Sequence, residues 1–238
     1  MREEPSLERF TGGTISANAM HPSFTAEFIE QSVSDKTWDF SNEVLYKLCE
    51  VNPQHSDKGI IIAKIWLIGR TYAAAIERRR TKDSYFGDRF YEEKVAPEIR
   101  NSPIDEWLHR LTEDKDNNTE LSLEIHKELT DLFYKISDLD KRSLASKYLH
   151  FHFRKRYFIY DAFASSALIS ISGKHKRRIN NPVSRTIYDT DYANFFHGCQ
   201  NLNKELHELI GRELLPRELD KCFLTWNRQN NFVKAQST

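Results

Sequence analysis

The feature that most constrains this chain is the run GIIIAKIWLIGRTYAAAIERRR, in which only Lys64, Arg70 and Thr71 are clearly polar between positions 60 and 76. Its length and alanine content favour a helix over a strand. A helix that is apolar on nearly every side has to be enclosed by others, so this segment is predicted to be the spine of the core. Gly69 in its middle costs about 1 kcal/mol relative to alanine. Either close backbone packing or access by a ligand would explain it, and close packing is the commoner reason.

The rest of the chain supplies partners of the same kind. From Thr37, the spacing of Trp38, Val44, Leu45 and Leu48 suits an amphipathic helix ending near Asn52-Pro53. Two more helices are predicted near 103–111 and 121–136, separated by the loop TEDKDNNTE. The second carries Leu121, Ile125, Leu129, Leu132 and Ile136 on one face. A short break at 137–140 precedes a renewed apolar pattern at Leu144, Tyr148 and Leu149, so the expectation is helix, tight connection, helix. Another helix should open at Asp161, and 192–210 and 216–226 also look helical, with Pro216 acceptable in a first turn. Residues 1–36 are expected to be an irregular amino-terminal arm with room for a short strand or two, and 37–238 a helical domain. The predicted fold class is mainly α.

Bulk composition narrows the function classes. With 238 residues, 39% hydrophobic and 29% charged, the chain can bury a core as one domain or two intimate subdomains. Formal net charge is zero, so affinity for a polyanion must come from charge distribution. That distribution is uneven. Between 105 and 140 eleven acids face four bases, whereas between 141 and 185 eleven bases accompany a single acid, Asp161. Cys49, Cys199 and Cys222 are far apart and form no CxxC pair, which argues against a disulfide framework or a zinc site. The start MREEPSLERF has no apolar segment of a secretory signal, and no apolar run approaches a membrane span. A cytoplasmic protein with no membrane partner is expected.

The lone acid invites a chemical question. Asp161 follows Phe158, Ile159 and Tyr160 at a helix start, where aspartate is a preferred cap. A carboxylate at the mouth of a cleft can also stabilise a sugar cation or direct the water that attacks it. Lys147 sits among Ala145, Tyr148, Leu149 and Phe151, where partial desolvation would enlarge its neutral, nucleophilic fraction; the ordinary alternative is a lysine whose stem crosses an apolar patch. His150 and His152 do not share a helix face and have no third ligand at sensible spacing, so no metal is predicted, nor is any cofactor. Arg154, Lys155 and Arg156, with Lys174, Lys176, Arg177 and Arg178, form two basic clusters interleaved with aromatics that could grip phosphates.

Helix, short connection, lysine-bearing helix, aromatic stretch and aspartate-opened helix together resemble the helix-hairpin-helix DNA glycosylase superfamily, especially bacterial proteins with an 8-oxoguanine-glycosylase-like fold. The matching segments are ASKYLHFH, FIYDAFA, IWLIGRTYAAAIERR and PRELDKCFLTW. The chain is also similar to the anti-phage glycosylases of this group, which act on glucosylated hydroxymethylcytosine. The resemblance implies two helical subdomains flanking a cleft and double-stranded DNA containing a modified base as partner. It makes Asp161 the essential aspartate and Lys147 the hairpin lysine. Arg70, Tyr72, Asp220 and Trp226 are weaker candidates for the base pocket. The chain departs from the family pattern in lacking a glycine within the hairpin segment SDLDKRSLAS, and in the short separation of Lys147 from Asp161. A non-enzymatic nucleic-acid-binding module and a protein-interaction scaffold are the rival readings. The excised base, the choice between Lys147 and water as nucleophile, and the oligomeric state stay open.

Overall fold

The computed structural model describes residues 20–78, 87–173 and 187–236. Among these the protein is helical throughout and contains no strand. Residues 1–19, where a short strand had room, lie outside the described residues. Residues 26–34, assigned to the irregular arm, form a helix, α1 (Ala26–Ser34), capped by Thr25 through the Phe28 amide at 3.2 Å.

The spine helix is α3 (Lys58–Thr71), preceded by α2 (Asp39–Val51). It buries Ile61, Ile65 and Ile68 completely but leaves Trp66 exposed, so it is enclosed on most sides rather than all. It also stops earlier than its apolar pattern. Ala73 adopts a left-handed φ of 51°, and the amides of Ala73 and Ala74 turn back to the carbonyls of Arg70 and Gly69. This is a Schellman stop with alanine where glycine is usual, at a cost of about 1 kcal/mol. Gly69 makes it possible, because a Cβ there would lie 3.0 Å from Ala75 Cα. Close backbone packing is therefore the reason for Gly69.

Next come α4 (Asp88–Phe90), a π-helical turn (Tyr91–Val95) and α5 (Ala96–Arg100), which run on from one another. α6 (Ile104–Glu113) and α7 (Thr119–Ser137) follow, then α8 (Arg142–His152), α9 (Ala162–Ile171), α10 (Thr190–Ile210) and α11 (Pro216–Gln236). The helix, tight connection, helix is α7 and α8, with Asp138 left-handed at the end of α7. α8 is packed by α2, α3 and α7, while α11 is packed by α1 and α9. On α2 the buried stripe is Asn42, Leu45, Tyr46 and Cys49, and the predicted Trp38 and Val44 face solvent. Tyr46 turns inward because its hydroxyl reaches His150 Nε2 at 2.6 Å. The three cysteines are buried and free. No helix among the described residues is long and apolar enough to cross a membrane.

Candidate active site

Lys147 occupies the buried side of α8 and is 1% exposed. Its Nζ meets Ser143 Oγ at 3.0 Å, Asp161 Oδ2 at 3.1 Å and the Tyr72 carbonyl at 3.2 Å. Three acceptors match the three protons of an ammonium. The Tyr72 carbonyl is available because the Schellman stop ends α3 there, so the negative end of one helix faces the lysine. The Tyr72 ring lies 5.7 Å from the same ammonium.

Asp161 caps α9. Its Oδ1 accepts from the Ala164 amide at 2.9 Å, and its Oδ2 takes the lysine. Cap and ion pair thus use different oxygens, and the side chain remains 33% exposed. The segment leading to it is anchored at several points. The Tyr160 amide donates to Ser146 Oγ at 3.1 Å, the Tyr157 carbonyl accepts from His150 Nδ1 at 2.8 Å, and the Phe158 carbonyl accepts from the Tyr192 hydroxyl at 3.1 Å. Because Nδ1 of His150 must carry the proton, Nε2 accepts from Tyr46. The carboxylate is held in place by packing on both sides, which favours a fixed geometry at its open face.

Two of the four weaker candidates join this cluster. The Tyr72 hydroxyl donates to Asn42 Oδ1 at 2.7 Å, and Asp220, buried on α11, is ion-paired with Arg217. Burial pushes the Asp220 carboxyl up to about 6; Arg217 opposes this, Asp161 adds to it and Lys147 opposes it. Arg217 lies 6.0 Å from the Tyr72 ring. The other two candidates are elsewhere. Arg70 pairs with Glu77 and lies 5.8 Å from the Trp66 ring. Trp226 donates to Ser170 Oγ at 3.2 Å and packs edge-on against Phe24 and Phe28.

The basic clusters divide. Arg154 is exposed, 5.5 Å from the Tyr46 ring and 3.6 Å from Glu43, and Lys155 is exposed beside it. Arg156, expected to grip phosphate, is instead buried. It binds Ser122 Oγ at 2.7 Å, the Asn118 carbonyl at 2.9 Å and Asp114 Oδ2 at 2.5 Å, and so clamps the start of α7. A guanidinium with its donors consumed inside the protein is a structural tie, not a docking group. Lys174, Lys176, Arg177 and Arg178 lie outside the described residues. His150 and His152 diverge: His150 joins Tyr46, whereas the His152 ring lies 5.6 Å from His55.

Sequence reasoning missed Asn42, Ser143 and Arg217. Arg217 stands three residues before Asp220, a same-face helical pairing that could have been noticed. Nothing local marks Asn42. No protein-family model, curated protein or solved structure matches this chain. The arrangement therefore has to be judged on its chemistry: a positioned, partly open carboxylate with unused lone pairs, backed by an enclosed ammonium.

Proposed function

We propose that the protein is a DNA glycosylase, which extrudes a modified or damaged base from a duplex and cleaves its N-glycosidic bond to leave an abasic site, in DNA repair or in defence against phage with modified DNA. The observation that carries this reading is the Lys147–Asp161 contact at 3.1 Å, with the lysine enclosed and the aspartate open. A base within a duplex is unreachable, so it must be flipped out at a cost of a few kcal/mol. As the bond between C1′ and the base nitrogen breaks, its electron pair leaves with the base, which takes up a proton. Positive charge develops on the sugar, and Asp161 stabilises it. Water then adds to C1′ and gives up a proton to the carboxylate. The three acceptors around Lys147 favour water as nucleophile and make the lysine a positioning residue that holds Asp161. The exposed Arg154 and Lys155, with the basic residues that follow Gly173 in the sequence, would supply the sequence-independent grip on phosphate.

A non-enzymatic DNA-binding module is the second reading, favoured by the cap bond to Ala164, which alone is sufficient reason for an aspartate at that position. The two are separated by incubating the protein with duplexes carrying 8-oxoguanine, uracil, alkylated bases or glucosylated hydroxymethylcytosine, and assaying free base and abasic sites. Asp161→Asn keeps the cap and removes the charge. Base release from one substrate, reduced about 10²–10³-fold in Asp161→Asn and with no borohydride-trapped protein–DNA adduct, is expected. DNA binding without release from any duplex would favour the module.

A further inference from the structure

An open cavity of about 530 Å³ lies between the start of α7, one face of α10 and the connection from α10 to α11. Helical spacing makes one wall: Gln200, Asn203 and Lys204 stand three and four residues apart on α10 and so share a face. Asn203 ties that wall to the connection, its Nδ2 donating to the Leu214 carbonyl at 2.9 Å and its Oδ1 accepting from the Leu214 amide at 3.3 Å. Lys155, Arg156 and Phe158 line a further side, and they belong to the segment that leads to Asp161.

The charges in the cavity select the class of ligand. Its lining holds three bases, Lys155, Arg156 and Lys204, against one acid, Glu213. Asp114 neutralises Arg156, but Lys155 and Lys204 are exposed and have no ion-pair partner among the described residues. Two unpaired ammonium groups against one carboxylate leave the cavity net positive. A hydrogen-bond chain adds a neutral donor. His197 Nδ1 meets Gln200 Oε1 at 3.2 Å, and Gln200 Nε2 donates to Thr119 Oγ1 at 3.0 Å. The Gln200 oxygen can only accept, so His197 gives the proton; Thr119 Oγ1 accepts in turn, which leaves its own hydrogen to donate. Two ammonium groups and a hydroxyl hydrogen are what the free oxygens of a phosphate take.

We infer that this cavity is a phosphodiester site, in which Lys155, Lys204 and Thr119 hold the backbone of a DNA strand beside the flipped nucleotide. This rests on the glycosylase reading and deepens it by naming where the strand is gripped. Asp161 lies six residues after Lys155. That is at most about 20 Å of chain, less than one turn of duplex at about 34 Å. The Glu213 carboxylate works against the site, so its removal tightens binding, whereas loss of either lysine weakens it.

The test is fluorescence anisotropy of a labelled, unmodified duplex with the full chain over a salt series. Each neutralised phosphate contributes about 0.9 to the slope of log affinity against log salt. Lys155→Gln and Lys204→Gln should each lower the slope by about that amount, and Glu213→Gln should strengthen binding. Thr119→Val should weaken binding about tenfold, the effect of roughly one hydrogen bond, with the slope unchanged. Lys135→Gln makes the same change of charge on α7, about 24 Å from Thr119, and should leave the slope as it is. Slopes unmoved by both cavity lysines, or lowered equally by Lys135→Gln, overturn the site. Inorganic phosphate, titrated separately and followed by phosphorus NMR, distinguishes the sources: phosphate held through Lys204, with duplex affinity indifferent to Lys204→Gln, would replace the strand by a small phosphate ligand. Base release from a duplex, with slopes unmoved by either lysine, would reject the site and leave the glycosylase standing. Slopes that fall as expected in a protein that releases no base from any duplex would do the reverse.

Discussion

Lys147 and Tyr148, neighbours on α8, point into two buried polar clusters that differ in one respect. Behind Tyr148 lies a second enclosed lysine, Lys64 of α3, fully buried. Its Nζ is 3.4 Å from both His55 Nε2 and the Gln54 carbonyl, and no carboxylate among the described residues is paired with it. Burial pulls its pKa down to about 8. His55 donates to Asp105 at 2.5 Å and accepts from the Tyr148 hydroxyl at 2.5 Å, and burial pulls its pKa down to about 4. Both clusters therefore hold a lysine in the core beside a carboxylate that reaches solvent, but Lys147 is bonded to Asp161 directly, whereas Asp105, 47% exposed, meets His55 and not Lys64. A perturbed buried group is not by itself a site. Direct pairing of the lysine with a carboxylate distinguishes the two.

Acid should weaken the cluster around Lys64. His55, with a folded pKa of about 4, and His152, held well below its ordinary value by burial, are neutral in the fold. A histidine depressed in this way stabilises the fold fully above pH 6.5, and that contribution is lost as pH falls toward the folded value. Far-UV circular dichroism should show stability declining below pH 6.5 and steeply toward pH 4. A flat profile over that window would contradict the neutral, buried histidines. Next in size, Arg156→Ala strips the partner from the half-buried Asp114 and the bond from Ser122 Oγ, and should lower stability in denaturant unfolding. A loss of DNA affinity with stability unchanged would return Arg156 to the docking surface.

The lysines themselves sharpen the comparison further. Lys147→Met removes three bonds, one of them the bond that holds Asp161, and should lower stability by about 2 kcal/mol and reduce base release along with it. Lys64→Met should act in the opposite sense, raising stability by about 1 kcal/mol near pH 7 because an unpaired buried ammonium is replaced by an apolar chain of similar shape. A lysine with a lowered folded pKa opposes folding at neutral pH, and that cost fades as pH rises from about 8 toward 10.5. The gain from Lys64→Met should fade over the same window. Thermal unfolding at pH 7 and pH 10 reads both effects, and destabilisation by Lys64→Met would show that its weak contacts hold the core together.

Much of the helical plan was legible because its signals are local. Asp161 as a helix opener, the α7–α8 connection and the stop near Asn52 each follow from a cap, a turn or a proline within a few residues. Other features depended on what happened to lie opposite. The spine pattern continues to Ile76, yet α3 ends at Thr71 because Ala75 folds back across Gly69, and that stop is what aims the Tyr72 carbonyl at Lys147. Arg154, Lys155 and Arg156 look alike in sequence. Only packing against α7 turned Arg156 inward while its neighbours stayed in water.

The sequence by itself determined that this chain would be helical, that a lone carboxylate would cap α9, and that a lysine on an apolar face would precede it. These are consequences of periodicity and capping, which act over one or two turns. Tertiary structure alone decided that this lysine and not Lys64 would meet the carboxylate, that Tyr72 and Asp220 would join them while Arg70 and Trp226 would not, and that Lys155 and Lys204 would line one cavity. Pairings between residues far apart in the chain are set by which helix faces come together, and no local propensity records that choice.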